Sequence, residues 1–220
     1  MCCWLFHFWL LNAIKIAQQN KAEYQLKKFN RWYIYLAYWI VASLIIQPVF
    51  AAGFKEYVIQ AYKIPAGSML PTLQIGDMIL ANKTIYKFQE PKRGDIVVFE
   101  FPKDPSIDYI KRIVAIGGDT IEIKNKKLYL NGVQQKEISV INTSNKMFSS
   151  TVTPRDNLGP ITVPQNAIFL LGDNRDNSYD SRFWGPVNQN KIKGKAICLY
   201  WSWNSMDSKI RWNRIGKTIR

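Results

Sequence analysis

Three short stretches carry residue types able to do covalent chemistry. In "KIPAGSMLPTLQIGD", Lys63 to Asp77, Ser68 follows a glycine and stands between Pro65 and Pro71. The stretch reads in two ways. It is a rigid connector whose serine is solvated, or a turn that presents a nucleophilic hydroxyl, which needs a fixed backbone and a base within reach. The chain has one histidine, His7, in its N-terminal apolar segment, so a Ser-His-Asp triad built around Ser68 within one exported domain is excluded. A lysine can replace the histidine when burial keeps its amine neutral. A free lysine has a pKa of about 10.4, and burial lowers it by roughly 3–5 units.

Lys111 lies in the second stretch, "DYIKRIVAIGGD", Asp108 to Asp119. On a strand it shares a face with Tyr109 and Ile113, both able to enclose an amine, while Arg112 points the other way. The alternative is a strand-edge charge in water, and the local sequence leaves both open. Lys63, Lys83, Lys103, Lys124, Lys126 and Lys127 lie in more polar surroundings and read as solvated. The third stretch, "GDNRDNSYDSRFWGPV", Gly172 to Val187, packs Asp173, Arg175, Asp176, Asp180 and Arg182 together. It is not a calcium loop: arginine holds the third position, serine replaces the turn glycine, and no acid closes it. It reads as an internally salt-bridged loop with Asx-turns that stiffens whatever it borders.

The elements that must position these stretches are short strands. "GDMILANK", "GDIVVFEF" and "IFLLGD" are brief β-rich runs beside Gly-Asp or Pro signals, as expected of an all-β domain. "TIEIKNKKLYLNG" alternates on either side of Asn125-Lys126 and predicts a hairpin with a tight turn. No long amphipathic helical pattern follows Tyr62. The polar segment from Gln134 to Pro160 reads as a surface excursion, and Trp201, Trp203 and Trp212 read as core or sheet-packing aromatics.

Ahead of the strands, Trp32 to Phe54 is a run of 23 residues without a charge, bracketed by Arg31 and Lys55. About 20 apolar residues cross the hydrocarbon core, so the run predicts a transmembrane helix over residues 32–54, kinked at Pro48. A buried core helix or a cleaved signal fits this length and position less well. Residues 1–31 begin with "MCCWLFHFWLLNAI", a short apolar segment readable as a marginal first span, an interfacial helix or a remnant. Lys15, Lys21, Lys27, Lys28 and Arg31 then outweigh the single acid Glu23, which predicts a cytoplasmic loop and an extracytoplasmic domain over residues 55–220. The net charge of +14 implies an anionic neighbour, nucleic acid or membrane, and eight Trp with eleven Tyr favour the membrane. Cys2, Cys3 and Cys198 form neither a disulfide framework nor a metal pattern.

Taken together, the chain resembles bacterial type I signal peptidases, membrane-anchored serine proteases that remove signal peptides from exported proteins. The "PxGSMxPTL" box stands at Pro65 to Leu73, "RGDIVVF" at Arg93 to Phe99, and "DYIKRIVAIGGD" and "GDNRDNSYDSRFWG" follow in the family's order. The resemblance implies a mainly β fold: antiparallel sheets in a partly open, barrel-like catalytic domain, with a small accessory β-region at about 122–163. It implies Ser68 as nucleophile and Lys111 as general base. Ser178 would hydrogen-bond the lysine amine and orient it, Asp180 and Arg182 would form a bracing ion pair, and Met69 and Tyr109 would line the substrate side. The reaction would run through an acyl-enzyme with cleavage after small-x-small (Ala-x-Ala) sites. The implied partners are preprotein signal peptides and membrane phospholipid, with no nucleic acid, metal or cofactor, at the bacterial inner membrane. Many relatives place a serine where this chain has Ala66, which cannot donate to an oxyanion, so the backbone N–H of Ser68 would carry more of that work.

Two other readings belong beside this one. A specialised Ser/Lys maturation peptidase for a pilus or conjugation protein would carry similar boxes. A non-catalytic β-module on an anionic membrane surface suits the charge, but has no need of Ser68, Lys111 and Ser178 together. A self-cleaving repressor is disfavoured by the apolar anchor and the lack of a DNA-reading segment.

Overall fold

The computed structural model describes residues 32–49, 53, 57–137 and 139–219. The expected first apolar segment and basic loop, with His7, lie outside the described residues. The chain forms two compact units, Met1–Ala52 and Gly53–Arg220.

Among the described residues of the first unit, one helix, Trp32–Val49, is long and apolar enough to cross a membrane, with none of its side chains buried. It begins as an α-helix, α1 (Trp32–Val41), and continues through a π-helical stretch, Ala42–Ile46. The N–H of Gln47 reaches back to Ala42 O. The adjacent Pro48 explains the widening: it has no N–H to donate and its ring crowds the carbonyl four residues before it.

The second unit is built from twelve antiparallel strands among the described residues. One sheet runs in the order β1 (Ile59–Lys63), β2 (Asp77–Asn82), β11 (Ile192–Asn204), β3 (Ile96–Phe101), β4 (Asp104–Ile116), β9 (Ala167–Leu171) and β10 (Val187–Asn188). β12 (Lys209–Ile210) pairs with the end of β11. A second sheet has the order β7 (Val133–Gln134), β6 (Lys127–Leu130), β5 (Thr120–Lys124) and β8 (Leu158–Thr162). Asn125 and Lys126 both take positive φ, the two-residue turn that matches strand twist in a hairpin, and Lys124 pairs with Lys127. After β9, a short α-helical turn, α2 (Ser181–Trp184), precedes β10.

Strand alternation sorts the core. On β2, Asp77, Ile79 and Ala81 face inward and their neighbours outward. Ile64, Met69, Leu73, Ile79, Ile96 and Val98 make one cluster beneath the Ser68 segment. Val114, Phe169 and Leu171 of the large sheet meet Ile121, Leu128 and Leu130 of the small one in a second cluster. β9, flanked by β4 and β10, is buried at all five residues, which is why its sequence is a continuous apolar run.

Two sequence expectations change. Trp212 is 70% exposed and touches Trp201 edge-on, so it is no core residue. The stretch after β7 is not a free surface excursion. Ile141 forms a bridge with Asn174, donating to Asp173 O and accepting from Arg175 N–H, and Asp156 is buried beneath it. Buried acids need partners, and this segment supplies them to the Gly172–Arg182 loop.

Gly76 has φ +88°, and a Cβ there would lie 2.1 Å from the carbonyl oxygen of Trp203, whereas Gly94, at φ +91°, faces open space. Gly94→Ala should therefore cost about 1 kcal/mol from strain alone, and Gly76→Ala about 2–4 kcal/mol. Urea unfolding of the two variants in detergent checks the difference; equal losses would contradict it.

Candidate active site

Ser68 sits in a single 3₁₀ turn, Gly67–Met69, entered from an extended Ala66. Leu70 N–H donates to Gly67 O at 3.2 Å and Leu73 N–H to Met69 O at 2.8 Å. Met69 and Leu73 are fully buried and plug the turn into the core below. Burying each contributes roughly 1.5–3 kcal/mol, enough to hold the turn down while Ser68 stays half-buried at its crest. This corrects the expectation for Met69: it anchors the turn from beneath and does not line the substrate side.

Lys111 lies on β4 opposite Val97 of β3, and its neighbour Arg112 pairs with Leu171 of β9. With strands on both sides, Lys111 is 4% exposed. Its Nζ lies 2.7 Å from Ser68 Oγ and 5.4 Å from the centroid of the Tyr109 ring. The strand-edge alternative is thereby removed. Burial pushes the amine down from 10.5 to about 8; nearby Asp180 opposes this, Arg182 adds to it and Asp173 opposes it. Burial wins, so at pH 7 about a tenth of the amine is unprotonated and can accept the hydroxyl proton, against well under a thousandth for a free lysine.

The Gly172–Arg182 loop grips both partners. Asn174 N–H donates to Ser68 O at 3.0 Å, and Asn174 Nδ2 donates to Gly67 O at 3.1 Å. Arg112 makes a two-pronged pair with Asp173, at 2.8 and 2.7 Å, and Thr72 Oγ1 donates to the same carboxylate at 2.5 Å. One aspartate thus ties the serine segment to the lysine strand. Asp180 pairs with Arg182 at 2.8 Å through both oxygens, accepts from Gly172 N–H at 3.1 Å and caps α2. Arg182 spends its remaining donors on Arg155 O and Arg175 O.

Ser178 corrects a second expectation. Its Oγ is buried and has no hydrogen-bond partner among the described residues, while the lysine amine is directed at Ser68. Ser178 packs over Gly172: a Cβ there would lie 2.2 Å from Ser178 Oγ and 2.5 Å from Ser68 O. The loop is also less self-contained than its sequence implies. Only the Asp180–Arg182 pair is internal. Asp176 takes Lys126 at 2.7 Å and the Ser144 N–H at 2.8 Å, and Arg175 pairs with Glu137. Lys126, expected in solvent, is therefore largely enclosed. Burial would raise the Asp156 and Asp176 carboxyls, but their hydrogen bonds and cationic neighbours outweigh it and hold both below the usual range.

Beside the two reactive groups runs a groove of about 350 Å³ whose walls include Ala66, Ser68, Tyr109, Ile110, Lys111 and Tyr179. Tyr109 thus faces the groove as well as the amine, stacked on Phe101 at 4.3 Å. Among the described residues no three His, Cys, Asp or Glu side chains converge on a metal position. A serine oxygen in contact with a desolvated amine, at the floor of an open groove, can carry out acyl transfer. The contributions of Asn174, Arg112 and Thr72 are absent from the motif reading; alternation alone placed Arg112 on the face opposite Lys111.

The family described as signal peptidase, peptidase S26, matches residues 36–201. Signal peptidase I of Aquifex aeolicus (strain VF5) is 39% identical, the match covering 67% of this chain and 78% of that protein. Signal peptidase I of Buchnera aphidicola subsp. Acyrthosiphon pisum is 30% identical over 98% of this chain and 92% of its own. A crystal structure of a signal peptidase I from Enterococcus faecalis V583 has 31% identity, covers 49% of this chain and 97% of its own, and gives a TM-score of 0.38.

Because a Cβ at Gly172 would press on both Ser178 Oγ and Ser68 O, Gly172→Ala should shift the serine by a fraction of an ångström or more. Peptide cleavage should fall about 100-fold, with kcat and not KM taking the loss. Steady-state kinetics check this; wild-type kcat would contradict it.

Proposed function

Because the chain belongs to the signal peptidase S26 family and is a serine peptidase, we propose that it removes signal peptides from preproteins with Ser68 as nucleophile and Lys111 as general base. The observation that carries this reading is the 2.7 Å approach of a buried, pKa-lowered amine to the serine hydroxyl. Neutral Lys111 takes the Ser68 proton as Oγ attacks the scissile carbonyl. The ammonium then returns that proton to the departing amine, leaving an acyl-serine. A water that gives its proton to the same amine hydrolyses the ester and regenerates the hydroxyl. The backbone N–H of Ser68 is the proposed oxyanion donor, since Ala66 has no hydroxyl to add. Asp180 and Arg182 position the loop, and Tyr109 borders both the amine and the substrate.

Cleavage after small-x-small sites is supported by the small side chains of Ala66 and Ser68 in the lining of the groove. For delivery, the apolar helix beginning at Trp32 spans the bacterial inner membrane, with the basic residues before it cytoplasmic and the peptidase unit outside. Membrane phospholipid is then a neighbour throughout.

A preprotein with an Ala-x-Ala site should be cut after the second alanine by wild type. Ser68→Ala and Lys111→Ala should each lose at least about 1,000-fold in kcat/KM. The neutral amine is the active form and its folded pKa is about 8, so kcat/KM should fall about tenfold per pH unit below 8 and level off above it. Substantial activity in Lys111→Ala, or an acid limb far from pH 8, would refute the assignment.

A further inference from the structure

A second concave site lies on the peptidase unit, away from Ser68. It is a pocket of about 380 Å³ lined by Tyr57, Gln60, Lys83, Lys87 and Lys193. The three lysines come from separate places in the sequence and are brought together by the fold. Lys83 follows β2, with its N–H on Val58 O. Lys87 ends a 3₁₀ turn, Ile85–Lys87, entered through Asn82, whose Oδ1 accepts from the N–H groups of Thr84 and Ile85. Lys193 lies on β11 beside Gly194, where a Cβ would meet Asn82 O at 2.8 Å. The missing side chain lets β11 close on the end of β2 and sets Lys193 beside Lys83.

Among the described residues the lining contains three ammonium groups, a phenol and a carboxamide, with no carboxylate. Lys193 also pairs with Asp108 at 2.8 Å and lies 3.9 Å from Glu100, which Lys191 holds at 2.9 Å, but an ammonium has three donors and can serve a further acceptor. Converging cations with neutral donors between them match a tetrahedral, multiply charged oxyanion, which offers several acceptors to several N–H and O–H groups at once.

We infer that this pocket binds a phosphate group, through Lys83, Lys87 and Lys193 with Tyr57 and Gln60 as neutral donors. Two sources supply that chemistry: free inorganic phosphate and the phosphodiester of an anionic lipid headgroup. The lipid source rests on the proposed membrane span, since Tyr57 follows the helix closely in sequence; the phosphate site itself does not.

The test uses the full chain in neutral detergent at fixed ionic strength. Calorimetric titrations would be run with inorganic phosphate and with short-chain phosphatidylglycerol, against short-chain phosphatidylcholine. Lys83→Gln/Lys87→Gln should weaken binding about tenfold or more, and Lys83→Arg/Lys87→Arg should restore most of it. Phosphatidylglycerol binding that exceeds phosphate binding assigns the headgroup; phosphate binding alone assigns the free anion. No binding of either by wild type, or equal binding by wild type and the glutamine variant, overturns the inference. Cleavage measured without phosphate on the same preparations should be unchanged by the glutamine pair. Loss of cleavage in wild type would instead refute the peptidase reading and leave the anion site standing.

Discussion

The structure depends on keeping one amine out of water. Lys111 stands on a strand with neighbours on both sides, roofed by the Gly172 loop, and burial outweighs the nearby carboxylates in setting its pKa near 8. Holding a lysine there corresponds to about 3 kcal/mol against its charged form at neutral pH. A marginally stable domain can carry that load only if the surroundings are rigid, because any opening that admits water removes the effect. In the proposed mechanism the same burial makes the lysine a base, so stability and activity pull in opposite directions at this one residue.

The rigidity comes from acids that reach outward. Asp173 joins the lysine strand to the serine segment through Arg112 and Thr72. Asp176 joins the loop to the hairpin turn through Lys126. Asp180 stays within the loop, capping α2 and holding Gly172 N–H. Removing one partner of such a pair leaves a buried charge uncompensated, so each strap is difficult to lose once made. The serine turn is also held from below, by Met69 and Leu73, which is why a half-exposed hydroxyl keeps one position.

Much of this is legible in the residues. Alternation around Lys111 put Tyr109 on its face and Arg112 on the other, and Asn125-Lys126 announced a hairpin. Both are local properties of a strand or a turn. What was not legible depends on partners far along the chain. Nothing near Lys126 says that Asp176, 50 residues on, will enclose it. The polar composition of the stretch after β7 suggested solvent, because a segment that supplies partners to buried acids has the same composition as one that faces water. Ser178 and Met69 failed for a related reason: a motif names residues but does not say which side of a turn each will occupy. The all-β character followed from several short strand-like runs beside turn signals, each weak and all in agreement, and the antiparallel arrangement from the family resemblance.

The most direct measurement is the titration of Lys111 itself, followed through its side-chain Cε and Nζ resonances in the full chain with lysine labelled and assigned by Lys111→Arg. A midpoint near pH 8, well separated from the remaining lysines, is the result this account predicts. A midpoint with the others, at about 10.4, would mean that the amine is solvated, and the account of this site would fail.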